Sequence, residues 1–351
     1  MKPFLCAFGS AVVALAAPVL AQPPEIRHGS AVPHEVRQMY ERGLEWLAAN
    51  QGDRGDWSGS GQQGGQVGPG ITGLCLMTLL ASGEDPNFGP YSRHVRKALR
   101  SIIGSQDATS GCIGPGNMYH HGFAMLGLAE AYGAVDDRNL WTDDDGRNRR
   151  TVGQALELAV RGALASQRNN PFGAWRYSPN ATDADTSVSG AVFVGLLAAR
   201  NAGIEVPDES IERALTYYRQ MTSGDGSVGY SGIGGGGPGG SAARSSIATL
   251  IYAVARRKDL PQYRATLELI KNNTGDGPGQ WSEYQCYYQA QALFQGDLAA
   301  WEKWNTQQLR RLRSAQQPDG SFHGQFGPAY GTAMSLLVLA VNYRFLPIYE
   351  R

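Results

Sequence analysis

Four short stretches of this 351-residue chain gather side chains able to hold or move a proton. They are Met118-Tyr119-His120-His121, Thr182-Asp183-Ala184-Asp185-Thr186-Ser187, Ser241-Ala242-Ala243-Arg244 and Ser282-Glu283-Tyr284-Gln285-Cys286-Tyr287-Tyr288. A fifth, Ala329-Tyr330-Gly331-Thr332, adds a phenol. Each opens an apolar stretch of helical composition. An imidazole at a helix start is disfavoured as its cation and is therefore available as a base. A carboxyl group in the same setting can serve as an acid. These residue types make His121, Asp185 and Glu283 the catalytic candidates, with Asp185 or Glu283 as acid and His121 or a tyrosine as base. Tyr119, Asp183, Arg244, Tyr284, Tyr287 and Tyr330 are the candidate ligand contacts. Structural roles compete with each assignment. Asp185 is well placed as an N-cap, and Ser282 with Gln285 fits a capping box that would leave Glu283 merely beside the helix dipole. Cys286 reads as a small buried residue. His120 and His121 are adjacent, so one must turn away from any shared cavity, and His121 is preferred as the inward one.

The elements that position these groups come from an internal repeat. A Gly-x-bulky turn recurs as Gly55-Asp56-Trp57, Gly111-Cys112-Ile113, Gly173-Ala174-Trp175, Gly226-Ser227-Val228, Gly279-Gln280-Trp281 and Gly320-Ser321-Phe322, at intervals of 56, 62, 53, 53 and 41 residues. A glutamine precedes four of them: Gln51, Gln106, Gln167 and Gln317. Before each turn lies an amphipathic helical stretch, beginning near His34, Ser92, Arg149, Asp208, Gln262 and Ala300. After each lies a stretch apolar nearly all round, as in TSVSGAVFVGLLAARNAG. Half-wet helices alternating with buried ones, six pairs in all, predict an all-α (α/α)6 toroid with an inner and an outer ring. The parallel inner helices would then share one mouth, rich in unsatisfied N–H groups and positive potential.

The Gln…Gly-x-Trp pattern at Gln51…Trp57 and Gln167…Trp175, with its echo at Gln317…Phe322, resembles the repeat of the squalene-cyclase and protein-prenyltransferase superfamily. The resemblance covers essentially residues 34–351 and implies one toroid domain with prenyltransferase/squalene-oxidase-type repeats. It also implies that the Gln and Trp tie an outer helix end to the next inner helix. The superfamily's catalytic sets are incomplete here. Against the cyclase motif Asp-x-Asp-Asp-Thr-Ala, aligned through Asp185-Thr186-Ser187, Ala184 stands where the proton donor belongs. Against the transferases' zinc set, Glu283 and Cys286 are three apart rather than two, and Gly331 stands in place of the histidine. No metal or other cofactor is therefore expected.

Composition narrows the classes further. The chain holds 31 Lys+Arg against 31 Asp+Glu, which argues against a nucleic-acid partner. Forty-six of the residues are glycine, about twice the usual ~7% share. Residues 1–21, with Lys2, an apolar run and Val19-Leu20-Ala21, read as a signal peptide. A linker over 22–33 follows, and no membrane span is expected after cleavage. The protein is thus expected to be exported, to the periplasm or beyond. Cys75, Cys112 and Cys286 are too few for a disulfide framework. The Gly-rich run 231–240 reads as a flap over the mouth, and Asp143-Asp144-Asp145 as a solvated loop. The expected function is a non-cyclase toroid binding a small molecule, lipid, saccharide or protein partner. One alternative is a metal-independent acid/base enzyme on an extracellular saccharide or peptide; the other is a divergent terpenoid cyclase.

Overall fold

The computed structural model describes residues 32–57, 68–114, 116–141, 149–232, 241–273 and 282–346, together with residue 348. The expected signal peptide, most of the 22–33 linker, the Gly279-Gln280-Trp281 turn, Asp143-Asp144-Asp145 and residues 233–240 of the expected flap lie outside the described residues.

Among the described residues twelve α-helices alternate between an outer and an inner set. The outer set is α1 (His34–Ala49), α3 (Ser92–Gly104), α5 (Val152–Asn169), α7 (Asp208–Met221), α9 (Pro261–Asn272) and α11 (Leu298–Ala315). The inner set is α2 (Pro69–Leu80), α4 (Met118–Ala131), α6 (Thr186–Asn201), α8 (Ala242–Val254), α10 (Ser282–Gly296) and α12 (Pro328–Ala340). Each inner helix packs on the next, and α12 packs on α2, so the inner ring closes. Burial follows the two sequence patterns. In α5 the buried positions are a stripe including Val152, Ala155, Leu156, Ala159, Val160 and Ala163, the helix opening with a capping box between Thr151 and Gln154. In α6 every residue from Val188 to Ala199 is buried. The (α/α)6 toroid is the fold. Among the described residues only isolated β-bridges occur, and no helix is long and apolar enough to cross a membrane.

The repeat turns out to be the joint of the ring. Gly55, Gly111, Gly173, Gly226 and Gly320 all have positive φ, which L side chains rarely adopt. At Gly320 a Cβ would run into the backbone carbonyl of Arg42 in α1, so the last turn sits directly on the first outer helix. The glutamines stitch the same joint. Gln51 Nε2 donates to Gly55 O (3.0 Å) and His94 O of α3 (3.0 Å). Gln106 likewise joins Gly111 O to Ala155 O, and Gln167 joins Gly173 O to Ser210 O. The stitch therefore runs from one outer helix to the next outer helix, not to the next inner one. Each tryptophan instead bonds back to the outer helix it follows: Trp57 Nε1 to Leu47 O (2.8 Å) and Trp175 Nε1 to Ala163 O (2.9 Å). In the final repeat the stitching residue is Gln316, which reaches Met39 O (2.8 Å) and Gly320 O (2.9 Å). The side chain of Gln317, expected in this role, donates to Ala315 O instead.

Candidate functional site

The first turns of all six inner helices open into one cavity of about 540 Å³. That volume falls within the ~300–1,000 Å³ typical of small-molecule sites. Its apolar wall comes from Ile71, Leu74, Phe123 and Phe326. Its polar groups come from Asn117, Tyr119, His120, Ser187, Arg244, Tyr284 and Tyr330. Two further tyrosines stand at the rim, Tyr177 and Tyr230, which are 45% and 37% exposed although large and aromatic. Their hydroxyls are 2.7 Å apart. Arg176 packs against both rings, its guanidinium carbon 5.5 Å and 5.6 Å from the centroids, and Arg244 lies 5.9 Å from that of Tyr230. Tyr119 continues the aromatic wall inward, 6.0 Å from Tyr177, 6.3 Å from Tyr284 and 6.5 Å from Phe123.

Of the histidine pair, the structure turns His120 towards the cavity and His121 away from it. His121 is fully buried, and its Nδ1 accepts the backbone N–H of Ile113 at 3.1 Å. Ser189 Oγ accepts from Trp175 N (2.9 Å) and Thr332 Oγ1 from Phe322 N (2.9 Å) in the same way. Three repeats thus use three different side chains for one task, holding the bulky turn residue against the inner helix. Burial pushes the His121 imidazole down to about 4, so it is neutral and structural. His120 presses on the Gly68–Gly70 entry of α2, where a Cβ at Gly68 would meet its ring. Its pKa is also lowered by burial, which leaves a neutral imidazole facing the cavity.

Asp185 caps α6 from a fully buried position. Its Oδ1 accepts from Ser187 N (2.9 Å) and Val188 N (2.8 Å). Its Oδ2 has no hydrogen-bond partner and lies 3.5 Å from Arg176 Nε. Burial raises the pKa, against the two N–H bonds and the arginine. Asp183 is mostly exposed and pairs with Arg176 at 2.9 Å. Neither aspartate lines the cavity. Glu283, in the first turn of α10, is half-buried, with Ser282 Oγ 3.4 Å from its Oε2, and is also outside the lining. The expected capping box is not formed: the Gln285 amide reaches Gln289 instead (3.4 Å).

Of the candidate ligand contacts, Tyr119, Tyr284, Tyr330 and Arg244 line the cavity, whereas Tyr287 lies deeper, packed on Phe123 and Tyr288. Burial pushes the Tyr119, Tyr230, Tyr284 and Tyr330 phenols up, so all four remain protonated donors. Tyr284 donates to Ser187 O at 3.1 Å. The Arg244 pKa is lowered by burial, and its Nε donates to Val228 O (2.8 Å). The rim residues Tyr177 and Tyr230 escaped the sequence reading, yet both stand two residues past a bulky turn residue, Trp175 and Val228.

Among the described residues no cluster of three or more His, Cys, Asp or Glu is placed to hold a metal. Gly331, in place of a zinc-binding histidine, lies where a Cβ would collide with the His323 backbone. Cys75, Cys112 and Cys286 are buried, and none of them is in a disulfide among the described residues.

No known family model matches the chain, and no curated protein matches it. Solved structures do. An inactive variant of an α-1,6-mannanase from Salegentibacter sp. HEL1_6, in complex with α-1,6-mannotriose, superposes with a TM-score of 0.63 at 8% identity, over 88% of this chain and 99% of that one. A type II terpene cyclase from Scytonema, in complex with geranylgeranyl dihydroxybenzoate, gives 0.59 at 16% identity, over 89% and 98%. A D-mannose isomerase gives 0.59 at 10% identity, over 88% and 96%. The shared feature is the toroid fold. It is common to saccharide enzymes and a terpene cyclase, so the fold does not single out the squalene-cyclase branch.

Proposed function

We propose that this toroid binds an oligosaccharide at the inner-helix mouth and performs metal-independent proton transfer on it. The observation that carries this reading is the rim: two tyrosine rings held open to solvent by a shared hydroxyl contact and by Arg176. Pyranose rings present apolar C–H faces edged with hydroxyls. Aromatic faces beside phenolic and guanidinium donors complement that pattern. A polyprene needs a long apolar cavity and a strong acid inside it. Here phenols, His120 and Arg244 interrupt the apolar wall, and the motif aspartate is spent capping α6.

The acid/base assignment changes with the geometry. His120, neutral and facing the cavity, takes the role of base given to His121 on sequence grounds. A protonated phenol, Tyr119 or Tyr230, takes the acid role given to Asp185 or Glu283. Two-carboxylate hydrolysis requires a pair of acids flanking the glycosidic oxygen. No Asp or Glu lines the cavity among the described residues. Proton abstraction by imidazole with proton return from a phenol is the chemistry this set supports.

The test is a panel of oligosaccharides incubated with the protein and followed by NMR and mass spectrometry. Turnover of a saccharide that His120→Gln abolishes supports the reading. Binding of saccharides without turnover would leave a lectin-like toroid, and consumption of a polyprene instead of a saccharide would refute it.

A further inference from the structure

Capping α6 occupies one oxygen of Asp185 and leaves the other over. Oδ1 accepts from Ser187 N and Val188 N, whereas Oδ2 accepts no hydrogen bond and faces Arg176 Nε at 3.5 Å. A carboxylate is not needed for the cap itself. The neutral side chains of Asn117 and Ser241 cap α4 and α8 in the same ring. The fully buried Asp185 carries a desolvation cost that those two avoid. We propose that Asp185 is a positioning residue for the saccharide site, acting through Arg176 on the two rim tyrosines; this rests on the saccharide reading above.

The start of α6 is where the two arms carrying those tyrosines converge. Asp185 N donates to Trp175 O (3.1 Å), two residues before Tyr177. Thr186 N donates to Tyr230 O (2.9 Å), and Asp185 forms an isolated β-bridge with Ser231. Arg176, on the first arm, packs across to Tyr230 on the second. Asp183 holds its Nη1 from the solvent side and Asp185 faces its Nε from the buried side. Asp183 is 63% exposed, so water and salt screen its shorter 2.9 Å contact. The buried carboxylate is screened far less. Two carboxylates at the edges of a planar guanidinium fix its plane, and that plane packs on both rings. The separation of the rings, and so the width of the sugar platform, follows from it.

Tyrosine-ring NMR and calorimetry on two single variants and their double variant test the inference. Tyr177→Phe and Tyr230→Phe assign the two rim signals. Asp185→Asn keeps a cap and removes the charge facing Arg176, and Arg176→Met removes the guanidinium. Each should move both rim signals with little change in melting temperature. Each should also weaken whichever of α-1,6-mannotriose and trigalacturonate the parent binds by roughly three- to tenfold, and the double variant no further. A direct charge effect would instead move trigalacturonate in opposite directions in the two single variants. Unmoved rim signals in Asp185→Asn, undiminished affinity, additive losses or opposite shifts each overturn the inference while the saccharide reading stands. If Asp185→Asn melts early, Asp185→Ser, the cap type of α8, takes its place. Early melting of both assigns the carboxylate to the fold and overturns the inference. Should neither trisaccharide bind the folded parent, the saccharide reading falls and this inference with it.

Discussion

The hydroxyls of Tyr177 and Tyr230 meet at 2.7 Å across the seam between the third and fourth hairpins. Each ring lies two residues past the turn residue that anchors its hairpin, Trp175 or Val228. The repeat therefore fixes the spacing of the aromatic rim as well as the ring. This pair is where the structural joint becomes a recognition surface.

Removing one of these rings should weaken saccharide binding without unfolding the protein. Tyr177→Ala or Tyr230→Ala is expected to cost about tenfold in affinity, the size of one good aromatic contact. Tyr→Phe at either site keeps the face and should lose less. Calorimetric titration beside a thermal melt distinguishes a binding loss from a folding loss. Unchanged affinity in both alanine variants would remove the rim from the account.

The two neighbouring histidines should separate cleanly. His120→Gln should abolish turnover with little effect on thermal stability, because His120 faces the cavity. His121→Gln should lower stability, because the Ile113 N–H loses its acceptor. Steady-state kinetics and urea unfolding on both variants read the difference, and the reverse pattern would restore the sequence-based assignment.

His121 also makes stability depend on pH. Its folded pKa, about 4, lies below the unfolded value near 6.5. The folded state thus prefers the neutral ring. Its contribution is complete above pH ~6.5 and is lost as pH falls from there towards 4, by roughly 3 kcal/mol. His121→Asn should flatten this part of the pH–stability curve. A variant with the same acid slope as the parent would assign the slope to other groups.

Ring closure should depend on Gln316 and not on its neighbour. Gln316→Ala deprives the Met39 and Gly320 carbonyls of a shared donor and should cost about 1–3 kcal/mol, whereas Gln317→Ala should be near neutral. Gly320→Ala should be worse than Gly173→Ala. The first would push a Cβ into the Arg42 carbonyl, the second into the flexible Arg213 side chain. Chemical denaturation ranks all four.

The fold was legible because the Gly-x-bulky turn is imposed by backbone geometry, positive φ with no room for a Cβ, and such constraints survive in sequence. The stitch at the last repeat was misread by one position. Gln316 and Gln317 are chemically identical, and only the helix end at Ala315 decides which of them points at α1. The histidine pair was inverted for a related reason. An inner helix is buried on nearly every side, so its pattern carries no phase telling lumen from jacket. What marks the outward position is its bond to the preceding turn, made by His121, Ser189 and Thr332, residues that share no sequence likeness. Tyr177 and Tyr230 stand outside the helix starts that carry the titratable motifs. The rim is built instead by the loops between turn and helix, and the common offset from Trp175 and Val228 was its readable sign.

Saturation-transfer NMR of the protein against a mixture of trigalacturonate, α-1,6-mannotriose and solubilised farnesol tests the central claim most directly. The account predicts saturation of pyranose ring protons that fades in the Tyr177→Ala, Tyr230→Ala double variant, with none on the isoprenoid. Saturation of farnesol alone would contradict it and return the cavity to the terpenoid branch of the toroid fold.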